Sequence, residues 1–580
     1  MAIRNLLTLS LAALMAGAPM AGSAAPRGPL DGEPTAAACA RLGFRAPEPR
    51  GLWASGSPPP PGMAAPMARM APAPPPPPMV AEQSAMQPRP PVSIVLPSGP
   101  APGTIDTERY PEATANPVKR TAEEPVSTFS IDVDTASYAN VRRFLNDGER
   151  PPTDAVRVEE LVNYFDYGYR APTSRDTPFA TSISVVPSPW SDQREILHIG
   201  LQGYELPASA KPPLNLVFLI DTSGSMESAD RLPLARKAMN VLIDQLGPQD
   251  RVAMVAYAGS AGAVLPPTDG RQKLMMRCAL GALSAGGSTA GGQGLALAYE
   301  LAQQNFDPQA INRVILMTDG DFNVGLSDPA RLEDFVAEKR ASGVFLSVYG
   351  FGRGNYNDQM MQTLAQNGNG TAAYIDTLAE ARRLFLRDLP ASMFPIAQDV
   401  KIQVEFNPAR VSEYRLIGYE TRLLNREDFN NDQVDAGEVG SGASVTALYE
   451  ITPVGAPGSS DPLRYQAEPR SPGQGSELAF VKVRYQPPGG GASNLMTRPV
   501  TASDRARSLA AAPEATRWAL AVAAYGQKLR GDPWLSARFG WTEIEALAQG
   551  ARGQDIDGDR AEFVTLVRSA ADARVRPGAP

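Results

Sequence analysis

At 580 residues the chain is too long for one hydrophobic core and points to several domains. Its formal net charge of −8 offers no basic face for nucleic acid. With two cysteines and one histidine, a cysteine zinc site and a two-histidine metal site are excluded, and a Ser-His-Asp triad would have to rest on His198 alone.

Residues 1–25 read as a secretory signal peptide. Arg4 gives a positive n-region, Leu6 to Ala16 is a short apolar run, and Gly22, Ser23, Ala24 and Ala25 are small. No apolar run reaches the roughly 18 residues that span a bilayer, so the mature chain is expected to have no transmembrane helix. The expectation is export to the periplasm, cell envelope or surface of a bacterium.

From 26 to 120 Pro, Ala and Met dominate, as in SPPPPGMAAPMARMAPAPPPPPM. Such a stretch cannot bury a core and reads as a disordered, polyproline-like linker, either a stalk or a plain spacer. Cys39 precedes its richest part, and Cys278 falls in KLMMRCALGAL as a core residue, so no disulfide is expected.

Residues 121–175 carry a strand, FSIDV, and two helical patterns, Ala136 to Asn146 and Val156 to Phe165, with Asp134 or Thr135 as the first cap. Over 176–213 apolar and polar residues alternate, giving two antiparallel strands with His198 at a surface or half-buried position. Between 214 and 392 apolar runs such as LNLVFLI, RVAMVAYA, NRVILMT and GVFLSVYGFG alternate with helical patterns. This predicts an α/β domain with a doubly wound, mostly parallel sheet. From 393 to 500 the period becomes two, and a β-sandwich-like region is expected. The strands of 176–213 should join it, with the α/β domain inserted between. Residues 501–580 are helical, with Asp559 as a cap.

The run Leu216 to Ile220 reads as a strand buried on both faces, and Asp221, Ser223 and Ser225 follow it at alternate positions. In open parallel sheets ligands bind beyond the carboxyl ends of the strands. Thr289 stands in SAGGSTAGG just before a helix, and Asp319 ends the strand NRVILMT. Three loops on one rim would thus gather hard oxygen ligands, suited to Mg²⁺, Mn²⁺ or Ca²⁺. In DFNNDQVDAGE, Asp428, Asn430 and Asp432 alternate like the start of a calcium loop. Gln433 stands where that loop needs Gly, and Val439 where it needs an acid, so a solvated turn is preferred over a second Ca²⁺.

The rim motifs resemble a von Willebrand factor type A (VWA) domain with a complete metal-ion-dependent adhesion site, over roughly Leu214 to Leu389. STFSIDVDTASYANVRRFL, RVEELVNYFDY, INRVILMTDGDFNVG and GFGRGNYND are similar to one group of bacterial exported proteins. That group has an extra N-terminal segment before the VWA domain and a C-terminal domain of unknown function after it. The resemblance implies that the hydroxyls of Ser223, Ser225 and Thr289 touch the cation. It implies that Asp221 and Asp319 bind directly or through water, and that one position stays open for a Glu or Asp of a protein partner. It further implies an adhesion or scaffold module without catalytic residues or organic cofactor. The alternatives are a metal-dependent hydrolase, with Glu227 and Asp321 the nearby candidate bases, and a structural assembly factor of the envelope.

Overall fold

A computed structural model describes residues 34–44 and 107–574, apart from 113, 132–133, 290, 321–328, 435 and 461–475. The signal peptide and the Pro-rich stretch 45–106 lie outside the described residues.

Order starts earlier than the sequence suggests. A short helix α1 (Ala36–Arg41) packs on a later one, and the strand pair partner β1 (Lys119–Arg120) lies within the expected linker. Then come β2 (Val126–Ser130), α2 (Ala136–Asn146) and α3 (Val158–Val162), followed by the hairpin β3 (Phe179–Pro187) and β4 (Glu195–Gly203). The α/β domain runs β5 (Leu214–Asp221), α4 (Leu232–Gln245), β6 (Arg251–Tyr257), β7 (Ala261–Asp269), α5 (Lys273–Gly281), α6 (Gly291–Gln304) and β8 (Ile311–Thr318). It continues through α7 (Pro329–Ala341), β9 (Val344–Gly350), α8 (Asp358–Asn367), β10 (Ala372–Tyr374), α9 (Leu378–Arg382) and α10 (Leu389–Met393). The last strands are β11 (Pro395–Phe406), β12 (Val411–Ile417), β13 (Leu423–Leu424), β14 (Val439–Gly440), β15 (Ser444–Pro453), β16 (Glu477–Gln486) and β17 (Asn494–Thr501). Helices α11 (Glu514–Arg530), α12 (Trp541–Gly550) and α13 (Asp559–Asp572) close the chain.

The α/β sheet has the order β10-β9-β8-β5-β6-β7, parallel except for β7. All eight residues of β5 are buried, as expected for a central strand covered by helices on both faces. The chain leaves β5 toward β6 on one side and returns to β8 on the other. The end of β5 is therefore a topological switch point, where neighbouring crossovers part and leave a crevice.

The flanks form two sheets. One has the order β1-β12-β15-β4-β3, the other β13-β2-β11-β16-β17. The early strands β1, β2 and β4 thus pair with strands that follow the α/β domain, and β3 joins through β4. Alternating burial along β16 shows one face turned inward. The faces meet through aromatic contacts, among them Phe406 stacked on Tyr414 at 4.2 Å and Phe179 edge-on to Tyr485 at 5.2 Å. Trp518 of α11 is fully buried against Phe165 and Phe563.

Four expectations need correction. Cys39 and Cys278 are joined by a disulfide, because docking of α1 on α5 brings their Cα atoms to 5.2 Å across a separation of 239 residues. His198 is 2 % exposed, since α11 covers its strand; Nδ1 meets Thr516 Oγ1 at 2.8 Å and Nε2 meets Tyr169 Oη at 2.7 Å. Asp134 does not cap α2: its carboxylate accepts from Ala372 N and pairs with Arg422, while Glu160 accepts from Ser137 N in the first turn of α2. Asp559 pairs with Arg387, and Asp555 accepts the N–H groups of Arg560 and Ala561 at the start of α13.

Candidate metal centre

The rim begins where β5 ends. Asp221 is fully buried. Its Oδ1 accepts from Ser223 N at 2.8 Å, and its Oδ2 from Tyr257 Oη at 3.1 Å and Thr318 Oγ1 at 3.2 Å. All three donors are neutral. Burial pushes the Asp221 carboxyl up to about 6, opposed by the hydrogen bonds from Ser223 and reinforced by the charge of Asp319. The chain then makes a tight turn, with Met226 N donating to Ser223 O at 3.0 Å and Met226 itself buried as its anchor. This turn sets Ser223 Oγ and Ser225 Oγ 3.0 Å apart.

The second loop is stitched to the first. Gly286 N donates to Thr222 O at 2.8 Å, and Gly224 N to Gly287 O at 3.0 Å. Thr289, half-buried, follows two residues after Gly287 and precedes α6. The third loop follows β8, and its Asp319 is fully buried. Gly320 has φ +101°, and a Cβ there would stand 2.6 Å from Asn355 O, so only glycine lets the chain turn away at this point.

A cation of the chain itself already lies at this rim. Arg231 Nη1 is 2.8 Å from Asp319 Oδ2 and also donates to Ser225 O at 2.6 Å. Its Nη2 donates to Asn355 Oδ1 at 2.9 Å and to Arg353 O. A Cβ on Gly352 would lie 2.2 Å from Arg231 Nε, so that glycine leaves the space the guanidinium fills. Residues 107–110 brace the same loop: Arg109 N donates to Tyr356 O, and Glu108 accepts from Gly354 N and from Arg143.

The donor set fits a hard divalent cation. It consists of carboxylate and hydroxyl oxygens, and one buried carboxylate meets no positive charge among its hydrogen-bond partners. Among the described residues no three His, Cys, Asp or Glu cluster as a metal site. The sequence did not single out Arg231, Tyr257 or Thr318. Tyr257 ends the strand beside β5, and Thr318 immediately precedes Asp319; both positions follow from the strand order. Glu227 is exposed, and Asp321 lies outside the described residues.

The segment considered for a second Ca²⁺ does not converge. Asp432 accepts from Arg484 and Ser493, while Asp428 accepts from Asn425, so the two carboxylates meet different local partners. Asn430 sits in a short helical turn beside Asp428.

Comparison with known proteins agrees with this architecture. The family model "von Willebrand factor type A domain" matches residues 215–387, "von Willebrand factor" matches 104–198, and "Uncharacterized protein YfbK, C-terminal" matches 391–573. The chain is 46 % identical to "Uncharacterized protein YfbK" of Escherichia coli (strain K12), over 80 % of this chain and 81 % of that one. It is 26 % identical to "Uncharacterized protein sll0103" of Synechocystis, over 50 % of this chain and 65 % of that one. A solved structure, "von Willebrand factor type A from Catenulispora acidiphila", is 18 % identical, with a TM-score of 0.37 over 71 % of this chain and 99 % of that one. The chain belongs to the YfbK family of proteins, in which a von Willebrand factor type A domain precedes a YfbK-type C-terminal domain.

Proposed function

We propose that the chain is an exported protein-binding module whose VWA rim docks an acidic side chain of a partner in a metal-dependent way. The observation that carries this reading is Asp221: a fully buried carboxylate, beside a second buried carboxylate, with only neutral hydrogen-bond donors. Ser223, Ser225 and Thr289 would supply hydroxyl ligands, and Asp221 and Asp319 would bind directly or through water. Neutral hydroxyls leave much of the charge of Mg²⁺, or of Mn²⁺ or Ca²⁺, available for a carboxylate from outside. Asp221 holds Ser223 in place through its backbone N–H, and Arg231 fixes Asp319 and the carbonyl of Ser225.

Binding rather than turnover is favoured by the surroundings. The single histidine is buried in another sheet against Thr516, and Glu227 is exposed on the first loop. Export is supported by the N-terminal pattern of Arg4 followed by Leu6 to Ala16, and by the Cys39–Cys278 disulfide, which suits an oxidising compartment.

The test is a pull-down from envelope extract with Mg²⁺ or with chelator, using wild type and Asp221→Ala. Capture that needs Mg²⁺ and fails with the variant, while the variant keeps its melting profile, is the expected result. Undiminished capture in chelator or by Asp221→Ala would sink the mechanism.

A further inference from the structure

Arg231 stands where a cation is costly. It is the residue before α4, at the positive end of the helix dipole, and its side chain is only 14 % exposed. Dipole and desolvation both oppose a charge there.

The groups it meets hold it in place. The side chain turns back across the rim instead of leaving for solvent. Nη1 meets Asp319 Oδ2 at 2.8 Å and Ser225 O at 2.6 Å. Nη2 donates to Asn355 Oδ1 at 2.9 Å and to Arg353 O, while Nε is buried with no hydrogen-bond partner. Gly352, with φ +75°, keeps the space clear. Oxygens from three loops thus fix one guanidinium beside one of the two buried acids. A clip between loops needs donors but not a charge, since a neutral amide also donates to carbonyls.

A count of charge shows what the guanidinium adds. The first loop brings Asp221, the third brings Asp319, and the second, SAGGSTAGG, has no ionisable residue. Two carboxylates cancel a divalent cation, so without Arg231 a loaded rim would be neutral. With Arg231 it carries one surplus positive charge, which a single docked carboxylate cancels. Other charges near these loops, among the described residues, contribute less. Glu108 is balanced by Arg143 at 2.8 Å, and Glu227 is exposed. Arg353 pairs with Asp147 and lies 3.9 Å from Asp230; at 54 % and 38 % exposure, Arg353 and Asp230 are screened by solvent.

We propose that Arg231 is the specificity-determining residue of the rim. By sharing Asp319 it loosens the hold on the divalent cation, and in return it gives the loaded rim the positive charge that selects an anionic side chain over a neutral one. This inference rests on the metal-dependent reading of the rim and names the residue that sets what the rim accepts. Its signature is a trade-off, in which loss of the charge moves cation affinity and anion affinity in opposite directions. A residue that merely braced the loops would weaken both when replaced.

Calorimetric titration of the full chain with Mg²⁺, followed by acetate in saturating Mg²⁺ at constant ionic strength, tests the proposal. Arg231→Gln binds Mg²⁺ about tenfold tighter than wild type and acetate about tenfold weaker, whereas Arg231→Lys, which keeps the charge, stays close to wild type in both. Wild type that takes up no Mg²⁺ overturns the metal-dependent reading itself. Wild type that binds Mg²⁺, beside an Arg231→Gln that binds it no tighter or holds acetate as well, overturns the role of Arg231 and leaves that reading standing. A second measurement needs no variant: in Mg²⁺, acetate raises the melting temperature of wild type and its neutral isostere acetamide does not. Equal shifts from the two overturn the proposal, whether or not Arg231→Gln folds.

Discussion

Asp221 at the metal rim and Glu380 at the seam between the VWA domain and the N-terminal segment are both buried carboxylates, 0 % and 2 % exposed. Around Glu380 the chain supplies its own cations. Arg142 and Arg383 donate at 2.7–2.9 Å, and Tyr164 adds a hydroxyl at 2.8 Å. Burial alone would raise this carboxyl; Arg383 and Arg142 outweigh it and hold it at about 2. Around Asp221 burial wins, and the group rises to about 6. Equal burial with opposite shifts separates two uses of an acid. Glu380 is balanced within the fold and fastens two segments. Asp221 is left with a charge that a cation from outside can balance.

Glu380→Ala is the largest blow to this contrast. It would leave Arg142 and Arg383 buried with fewer counter-charges, and should lower unfolding free energy by about 3–5 kcal/mol in a denaturant titration. A loss under about 1 kcal/mol would erase the distinction between seam and rim.

His198 extends the rule to a base. Among the described residues its hydrogen-bond partners are the hydroxyls of Tyr169 and Thr516, and burial holds it at about 4. The folded imidazole stays neutral as pH falls from 6.5, while the unfolded one takes a proton, so its stability contribution is lost between pH 6.5 and 4. The loss should approach about 3 kcal/mol, and His198→Gln should flatten that part of the profile. Because the sequence holds one histidine, nitrogen NMR of the imidazole reads it without assignment; an imidazolium signal at pH 6 would contradict the burial argument.

Asp221→Asn removes the unbalanced charge and keeps the shape. Without metal the variant should unfold within about 1 kcal/mol of wild type, or later. With Mg²⁺ the wild type alone should gain stability. The smallest effect belongs to the exposed rim. Arg353, 54 % exposed, pairs with Asp147, and Arg353→Ala should shift stability by less than about 1 kcal/mol.

Much of this was legible beforehand. The doubly apolar run before Asp221, the change to period two after residue 397 and the hydroxyls on successive loops are local patterns, and the doubly wound, mostly parallel sheet was expected from them. What escaped is non-local. No periodicity links Cys39 to Cys278, 239 residues away. His198 sits in an ordinary alternating strand, and its burial depends on Thr516 and Tyr169 from other elements. Arg231 looks like a charge ahead of a helix until the loop at 352–355 folds beside it. Asp134 looks like a cap until Arg422 claims it. At the candidate metal centre, the oxygen-bearing residues and their order stand in local motifs; the groups packed around them, Arg231, Tyr257 and Thr318, come from elements that only the fold brings together.

The bond between Cys39 and Cys278 changes how force would travel through the molecule. A pull applied upstream of Cys39 enters the body at α5 through sulfur and bypasses residues 45–106 altogether. A protease nick in that stretch would leave two fragments that migrate together on a gel until reductant is added. The Pro-rich run is thereby spared the work of a tether, and can be cut or lengthened without detaching what precedes it.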